Sequence, residues 1–422
     1  MKYIWLVCIM VSWLQAYRLG IETMPNELID RLVTNQTPIG VVTNHTGCTQ
    51  QGDRTIDVLR QKQLNVQAIF VPEHGLKGNV PAGQTVDNSN DEITGLPVKS
   101  LYAHGAGKKI SPDLFAQIDT LIFDMQDVGM RHFTYISTLY TVLEAAAQQN
   151  KEVIVLDRPN PLGAAMEGPL CDQSLRSFVG IAPIPLRHGL TIGELAQWFN
   201  KYMLKDVTRL LVVKLQDFSR KDTVDTFVQG LSPNLPSVKA AQGYSFLGLL
   251  GEVQPFNVGL GSKKPFQLIA LPAHCGVQYK EWRVLQQALL QHNIRTKPYT
   301  YVHKQKRMQY AGLQVMFDDI HTAAAFKAFV TVLDWAKERN IALTFSPLFD
   351  KAMGTRAVRE WALGDGNKDD ILKQVKTDLQ LFLEQSQEVL LYDVAPHLVR
   401  RLLDDSAFKL YHRDALSSLT SA

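Results

Sequence analysis

The sequence predicts an α/β protein, a Rossmann-like, mostly parallel sheet domain followed by a smaller mixed α/β domain. Two observations carry this prediction. Short apolar, β-branched runs alternate with helical stretches through the first half of the chain, the pattern of βαβ units and a parallel sheet. The length, 422 residues, exceeds the usual size of one compact core, so two domains are expected.

The runs fall at 39–43, 66–71, 121–124, 153–157 and 210–213, and the stretches 55–61, 111–118, 138–149 and 192–203 between them read as helices. Residues 231–236 (LSPNLP) break secondary structure, and Gly-rich, Pro-containing sequence continues to about Pro265. This segment reads as the crossing to the second domain. Beyond it, 312–317 reads as a strand, and 322–339 and 371–388 as helices. The expected division is a leader at 1–16, a first domain at 17–255 and a second at 256–422.

The leader sets the expected compartment. Lys2 precedes an apolar run at 3–14, followed by Gln15 and the small Ala16, as in a secretory signal cut after Ala16. The run is too short to span a bilayer, and no other run reaches eighteen apolar residues, so a periplasmic or secreted protein without stable membrane insertion is expected. Cys48, Cys171 and Cys275 remain after cleavage. An odd number allows at most one intrachain bridge, and no C-x-x-C spacing marks a metal site.

Hydrophobic residues at 45% and charged residues at 20% describe an ordinary globular chain. The net charge of +3 supplies no bulk field for a polyanion, so no nucleic acid partner is expected. Neither dinucleotide nor triphosphate glycine motifs occur, nor a G-x-S-x-G elbow.

Four of the apolar runs end in polar residues: Thr43-Asn44-His45, Pro72-Glu73-His74-Gly75, Asp124-Met125-Gln126-Asp127 and Asp157-Arg158-Pro159-Asn160. Ligands of open α/β sheets bind at the carboxyl ends of the strands, so these groups should converge on one crevice. With Arg131, His132, Glu167, Arg187 and His188 they form the candidate site. Glu73 stands out, because Pro72 and Gly75 define a tight turn that holds a carboxylate at a strand end, where burial can fit it for general acid work. His45, Glu73, His74, Asp124, Asp127 and His188 could in principle serve zinc, but no H-E-x-x-H or H-x-H spacing appears. No metal or other cofactor is expected.

The motifs VTNHTG (42–47), PEHG (72–75), GLPVKSLY (95–102), FDMQDVGMRHFTYIST (123–138), LDRPNP (156–161), EGP (167–169) and RHGLTIGEL (187–195) together resemble the exo-β-N-acetylmuramidase family, long known only as a domain of unknown function. The resemblance runs from about Gly20 to the C-terminus through Tyr310-Ala311-Gly312, the stretch from Phe349 to Thr355 and Leu390-Leu391-Tyr392. It implies a secreted or periplasmic glycoside hydrolase that removes N-acetylmuramic acid from the non-reducing ends of peptidoglycan fragments. It also implies a cleft between a Rossmann-like domain and a smaller C-terminal one. Among the matching positions Glu73 is the expected catalytic carboxylate. The second group is Asp127 or Asp124 as base or nucleophile, with Tyr135 in reserve. Asn44, His74, Asp124, Arg131, Arg158, Glu167, Arg187, His188 and Asn234 are the expected substrate contacts. Muramic acid differs from glucosamine by a lactyl carboxylate, so a cation is needed. Arg187 is the first choice for it, on a turn that reads as exposed, with Arg131 and Arg158 behind. Where the family has a second glutamate and an arginine, this chain has Val258 and Leu260, so any role of those two side chains is absent. The alternatives are a non-catalytic cell-wall sugar-binding protein and a metal-dependent periplasmic hydrolase.

Overall fold

The structure, a computed structural model, describes residues 17–80, 86–102, 110–220 and 230–393 and the single positions 84, 222 and 224. The expected leader at 1–16 lies outside the described residues. Among these residues no helix is long and apolar enough to cross a membrane.

The chain enters through α1 (Asn26–Thr34), then β1 (Ile39–Thr43), α2 (Thr55–Gln61), β2 (Val66–Val71), β3 (Ser89–Asn90), β4 (Pro97–Ser100) and β5 (Thr120–Asp124). It continues through α3 (Tyr135–Gln148), β6 (Glu152–Leu156), α4 (Ile192–Trp198) with a π turn at Phe199–Met203, and β7 (Arg209–Val213). These strands form one sheet in the order β3-β4-β2-β1-β5-β6-β7. All pairings are parallel except the two-residue β3. Every residue of β1 and β5 is buried, as a strand covered on both faces must be. Alternate side chains feed two cores. Val41, Ile69, Ile122 and Ile154 join Leu28, Leu32, Ile56 and Leu59 of α1 and α2 on one face. Val42, Phe70, Phe123 and Val155 join α3 and α4 on the other.

From β1 the chain builds outward through β2 and β4, then returns to lay β5 on the opposite side of β1. The strand order therefore reverses between β1 and β5, and the crevice at their carboxyl ends is the place such sheets offer a ligand.

The remainder forms a smaller unit. It comprises α5 (Val238–Leu250), β8 (Val253–Gln254), β9 (Leu268–Pro272), α6 (Tyr279–Leu290), β10 (Ile294–Val302), β11 (Gln309–Phe317) and α7 (Ala325–Glu338). It then runs through β12 (Thr344–Phe345), α8 (Phe349–Met353), α9 (Ala357–Leu363) and α10 (Lys368–Gln387). An antiparallel sheet in the order β10-β11-β9 packs on α5 and α6, both of which pack on α7, and β8 pairs with β12.

Two local expectations are corrected. Residues 111–118 hold only a 3-10 turn at Pro112–Phe115. The stretch to Pro265, expected to be irregular, contains the thirteen-residue helix α5. Its glycines serve close approach rather than breaking the helix, since a Cβ on Gly243 would lie 1.7 Å from Phe266 O and one on Gly248 2.6 Å from His132 Nε2. Helix α5 packs on α7, α8 and β11. Cys48, Cys171 and Cys275 are all unbridged.

Candidate active site

The loops after β1, β2 and β5 meet at the switch point. Asn44, buried, accepts through Oδ1 from Thr46 N at 2.9 Å and Thr46 Oγ1 at 2.6 Å. Thr46 Oγ1 itself accepts from Gln126 N at 3.0 Å, which ties the β1 loop to the residue before Asp127. Glu73 is half-buried on the turn closed by Gly75 N donating to Pro72 O at 3.2 Å. His74 and Gly75 follow with φ of +76° and +72°. A left-handed histidine costs backbone energy, and such strain concentrates at ligand-holding turns. His74 Nδ1 lies 2.6 Å from Val80 O, so Nδ1 carries the proton and Nε2 is left as acceptor.

Tyr135, the first residue of α3, donates its O–H to Leu231 O at 3.2 Å. Burial raises its pKa above the tyrosine range, the neighbouring Asn44 amide opposes that rise, and the charges of Glu73 and Asp127 add to it. Tyr102 donates to Thr138 Oγ1 at 3.0 Å and is pushed up to about 12, by burial first and with Glu73 contributing. Glu73 thus stands near one buried and one half-buried phenol that hold their protons at neutral pH.

Asp127, 5% exposed, accepts through Oδ2 from Gly129 N at 2.7 Å and faces His188 Nε2 at 3.2 Å. Leu190 N donates to His188 Nδ1, which fixes the tautomer with the proton on Nε2. Asp127 Oδ1 and Asn44 Nδ2 are buried without a hydrogen-bond partner. Burial first, then the charges of Glu252 and Asp127, raise the Tyr244 phenol of α5 above the tyrosine range, and its ring stacks on His132 with centroids 4.7 Å apart. Burial drives His132 down to about 3, so it is neutral.

Other expected contacts are engaged elsewhere. Asp124, fully buried, pairs with Arg158 through Nε at 2.5 Å and Nη2 at 2.8 Å and also accepts from Thr55. Arg158 Nη2 further donates to Cys48 O at 2.8 Å. Arg131, 0% exposed, donates to the carbonyls of Pro169, Ile184, Ala352 and Met353. The expectation of an exposed Arg187 is overturned. At 1% exposure it pairs with Glu167 at 2.6 Å and donates to the carbonyls of Leu162, Ile320 and Ala323. Glu167 accepts in turn from Phe326 N at 2.9 Å. Arg131 and Arg187 join the two units of the fold. Asn234 is exposed on the tight turn between Leu231 and Leu235, whose Leu231 carbonyl receives Tyr135. Val258 lies in the core and Leu260 packs against it. Among the described residues no three His, Cys, Asp or Glu side chains are placed to hold a metal ion.

Sequence reading missed Tyr244 and Tyr102 as site neighbours. Tyr102 closed a motif already singled out, whereas Tyr244 lay in the stretch taken as irregular, where no helical face was sought.

Fold and site define a class, a Rossmann-like α/β protein that gathers carboxylates, phenols and unsatisfied amide and carboxylate atoms at the switch point of its sheet. Within that class the chain belongs to the exo-β-N-acetylmuramidase NamZ family, whose N-terminal model matches residues 39–239 and whose C-terminal model matches residues 242–392. It is 35% identical over 383 residues to the peptidoglycan β-N-acetylmuramidase NamZ of Bacillus subtilis, covering 88% of this chain and 91% of that one. Two DUF1343 family proteins from Bacteroides fragilis share the fold. One has a TM-score of 0.77 at 31% identity, over 90% of this chain and 100% of that one. The other has a TM-score of 0.69 at 26% identity, over 90% and 99%.

Proposed function

We propose that this protein is an exo-acting glycoside hydrolase that releases N-acetylmuramic acid from the non-reducing ends of peptidoglycan fragments. The observation that carries the reading is the similarity to the Bacillus subtilis enzyme along nearly the whole of both chains. Glu73 is the proton-transfer group and Tyr135 the second reacting group. A phenol whose pKa lies above the tyrosine range attacks only if its proton leaves as the bond forms. The Glu73 carboxylate takes that proton and passes it to the departing glycosidic oxygen, leaving the sugar on Tyr135. Water then attacks the sugar carbon, Glu73 accepts the water's proton, and the phenol is restored as that proton returns to it. A tyrosine nucleophile is a known exception to the usual carboxylate pair.

We place the enzyme outside the cytoplasm, with export directed by residues 1–16 and the mature N-terminus near Tyr17. Terminal sequencing of exported protein tests this, and an intact Met1 refutes it. Activity is tested with a chromogenic β-N-acetylmuraminide, with and without a chelator. Turnover unaffected by chelator supports the reading. Sugar binding without turnover points to a binding protein, and loss with chelator to a metal enzyme.

A further inference from the structure

We infer that Asp127 and Asn44 read the 2-acetamido group of the bound sugar, Asp127 Oδ1 accepting its N–H and Asn44 Nδ2 donating to its carbonyl. The inference rests on a muramic acid unit occupying the cleft. It starts from two buried atoms short of partners, the acceptor Asp127 Oδ1 and the donor Asn44 Nδ2, whose second N–H stays unused when the first meets the Tyr135 phenol. Buried polar groups in native proteins are nearly always hydrogen-bonded, and an orphan costs about 1–3 kcal/mol. Two such orphans just past the carboxyl ends of β1 and β5 are therefore a place kept for a ligand.

The surroundings fix which atom faces the ligand. Asn44 Oδ1 already accepts from Thr46 N and Thr46 Oγ1, so the amide cannot turn over, and its NH2 end remains. That end carries two N–H donors, enough for the neighbouring Tyr135 phenol and one more acceptor. On Asp127, Oδ2 accepts from Gly129 N and is faced by the protonated Nε2 of His188, whose tautomer is set by Leu190 N. His188 is thus a positioning residue that holds Oδ2 and leaves Oδ1 as the open acceptor. The Thr46 Oγ1–Gln126 N bond couples the two orphans, and the Tyr135 phenol is beside Asn44 and within the field of Asp127. A secondary amide presents one N–H and one C=O. In the sugar of this substrate the acetamido group offers that pair, while the ring hydroxyls do not carry it on separate atoms.

The geometry gives Asp127 a recognition role rather than that of a second reacting carboxylate. Its replacement by asparagine distinguishes the two. In Asp127→Asn the side-chain oxygen keeps the Gly129 and His188 bonds, and an NH2 replaces Oδ1. An N–H of the sugar then meets another N–H, whereas a C2 hydroxyl can rotate and accept.

The experiment measures the dissociation constants of free N-acetylmuramic acid and of 3-O-lactyl glucose, its 2-hydroxy counterpart, by calorimetry on the full chain. The native protein is expected to favour the acetamido sugar by about 10- to 100-fold, the range of a hydrogen bond to a charged group, and Asp127→Asn to reduce that preference below about threefold. Asn44→Asp, which exchanges the free donor for an acceptor, is the second variant and should do the same. Unchanged preference in either folded variant overturns the inference, as does a native protein that binds both sugars equally. Because binding is read without turnover, a protein that selects the acetamido sugar yet cleaves no muraminide refutes the proposed activity and leaves this inference standing.

Discussion

The Tyr392 hydroxyl donates to Asp157 Oδ2 at 2.6 Å while accepting from Leu215 N at 2.7 Å, so the end of the described chain is pinned beneath the carboxyl ends of β6 and β7. Asp157 also receives Thr191 Oγ1, Gly193 N and Arg158 N. Glu194 beside it bonds Arg220, Thr191 N and Leu391 N. Two carboxylates, one arginine and one tyrosine thereby close the first unit with residues from the far end of the sequence.

This cluster should make stability depend on pH. Burial first, with Glu194 adding, raises Asp157 to about 7, above its unfolded value of about 3.9. Between these limits the native state binds the proton more tightly than the unfolded one, so this group's contribution is full below about pH 4 and falls as pH rises to about 7. Urea unfolding of the native protein and Asp157→Asn across that range checks it. The difference between them should shrink in the native protein's disfavour with rising pH, with a slope approaching about 1.4 kcal/mol per unit. A parallel pair of curves would remove Asp157 from the linkage.

Glu73→Gln keeps the shape of the side chain and removes its titrating proton. Turnover should fall about 10²-fold or more with the unfolding midpoint unchanged. Near-normal turnover in the folded variant would take Glu73 out of the mechanism.

Tyr135→Phe deletes the proposed nucleophile and one hydrogen bond to Leu231 O. The stability cost should be about 1 kcal/mol, set against a loss in turnover of about 10²-fold or more. Rapid-quench mass measurement of the native enzyme should show a sugar adduct that the variant lacks.

Arg187→Ala breaks a buried ion pair and strands Glu167, so it should cost about 3–5 kcal/mol in unfolding free energy. Selectivity between muraminide and glucosaminide should not change in whatever folded enzyme remains. A specific loss on muraminides with stability intact would restore Arg187 as a ligand contact.

Gly243→Ala places a methyl 1.7 Å from Phe266 O, inside any allowed contact. Destabilisation of about 1–3 kcal/mol, the usual cost of overpacking, should appear as a lower melting temperature. A neutral effect would mean that α5 can move away from Phe266.

The parallel sheet was legible because continuous runs such as IGVVT at 39–43 are buried on both faces, which periodicity and length register directly. The runs at 39–43 and 66–71 match β1 and β2. Helix α5 was not legible, because Gly243 and Gly248 lower helix propensity locally, and their reason, contact with Phe266 and His132, exists only in three dimensions. At the site, strand-end position brought Asn44 beside the Tyr135 phenol, with Glu73 and Asp127 close enough for their charges to act there. It could not tell how Arg131, Arg158 and Arg187 are used, since the carbonyls and carboxylates their guanidinium groups meet come together only in three dimensions.

The arginines that bridge the two units also set what the crevice can do mechanically. Arg131 and Arg187 rise from the sheet domain and hold the carbonyls of Ala352, Met353, Ile320 and Ala323 in the smaller unit. A hinge swing that widened the cleft would strip several buried, charge-assisted bonds at once, each worth about 1.5–3 kcal/mol. The jaws are therefore bolted rather than sprung. Any widening around a ligand then falls to side chains and local loops, because the two units are held as one block.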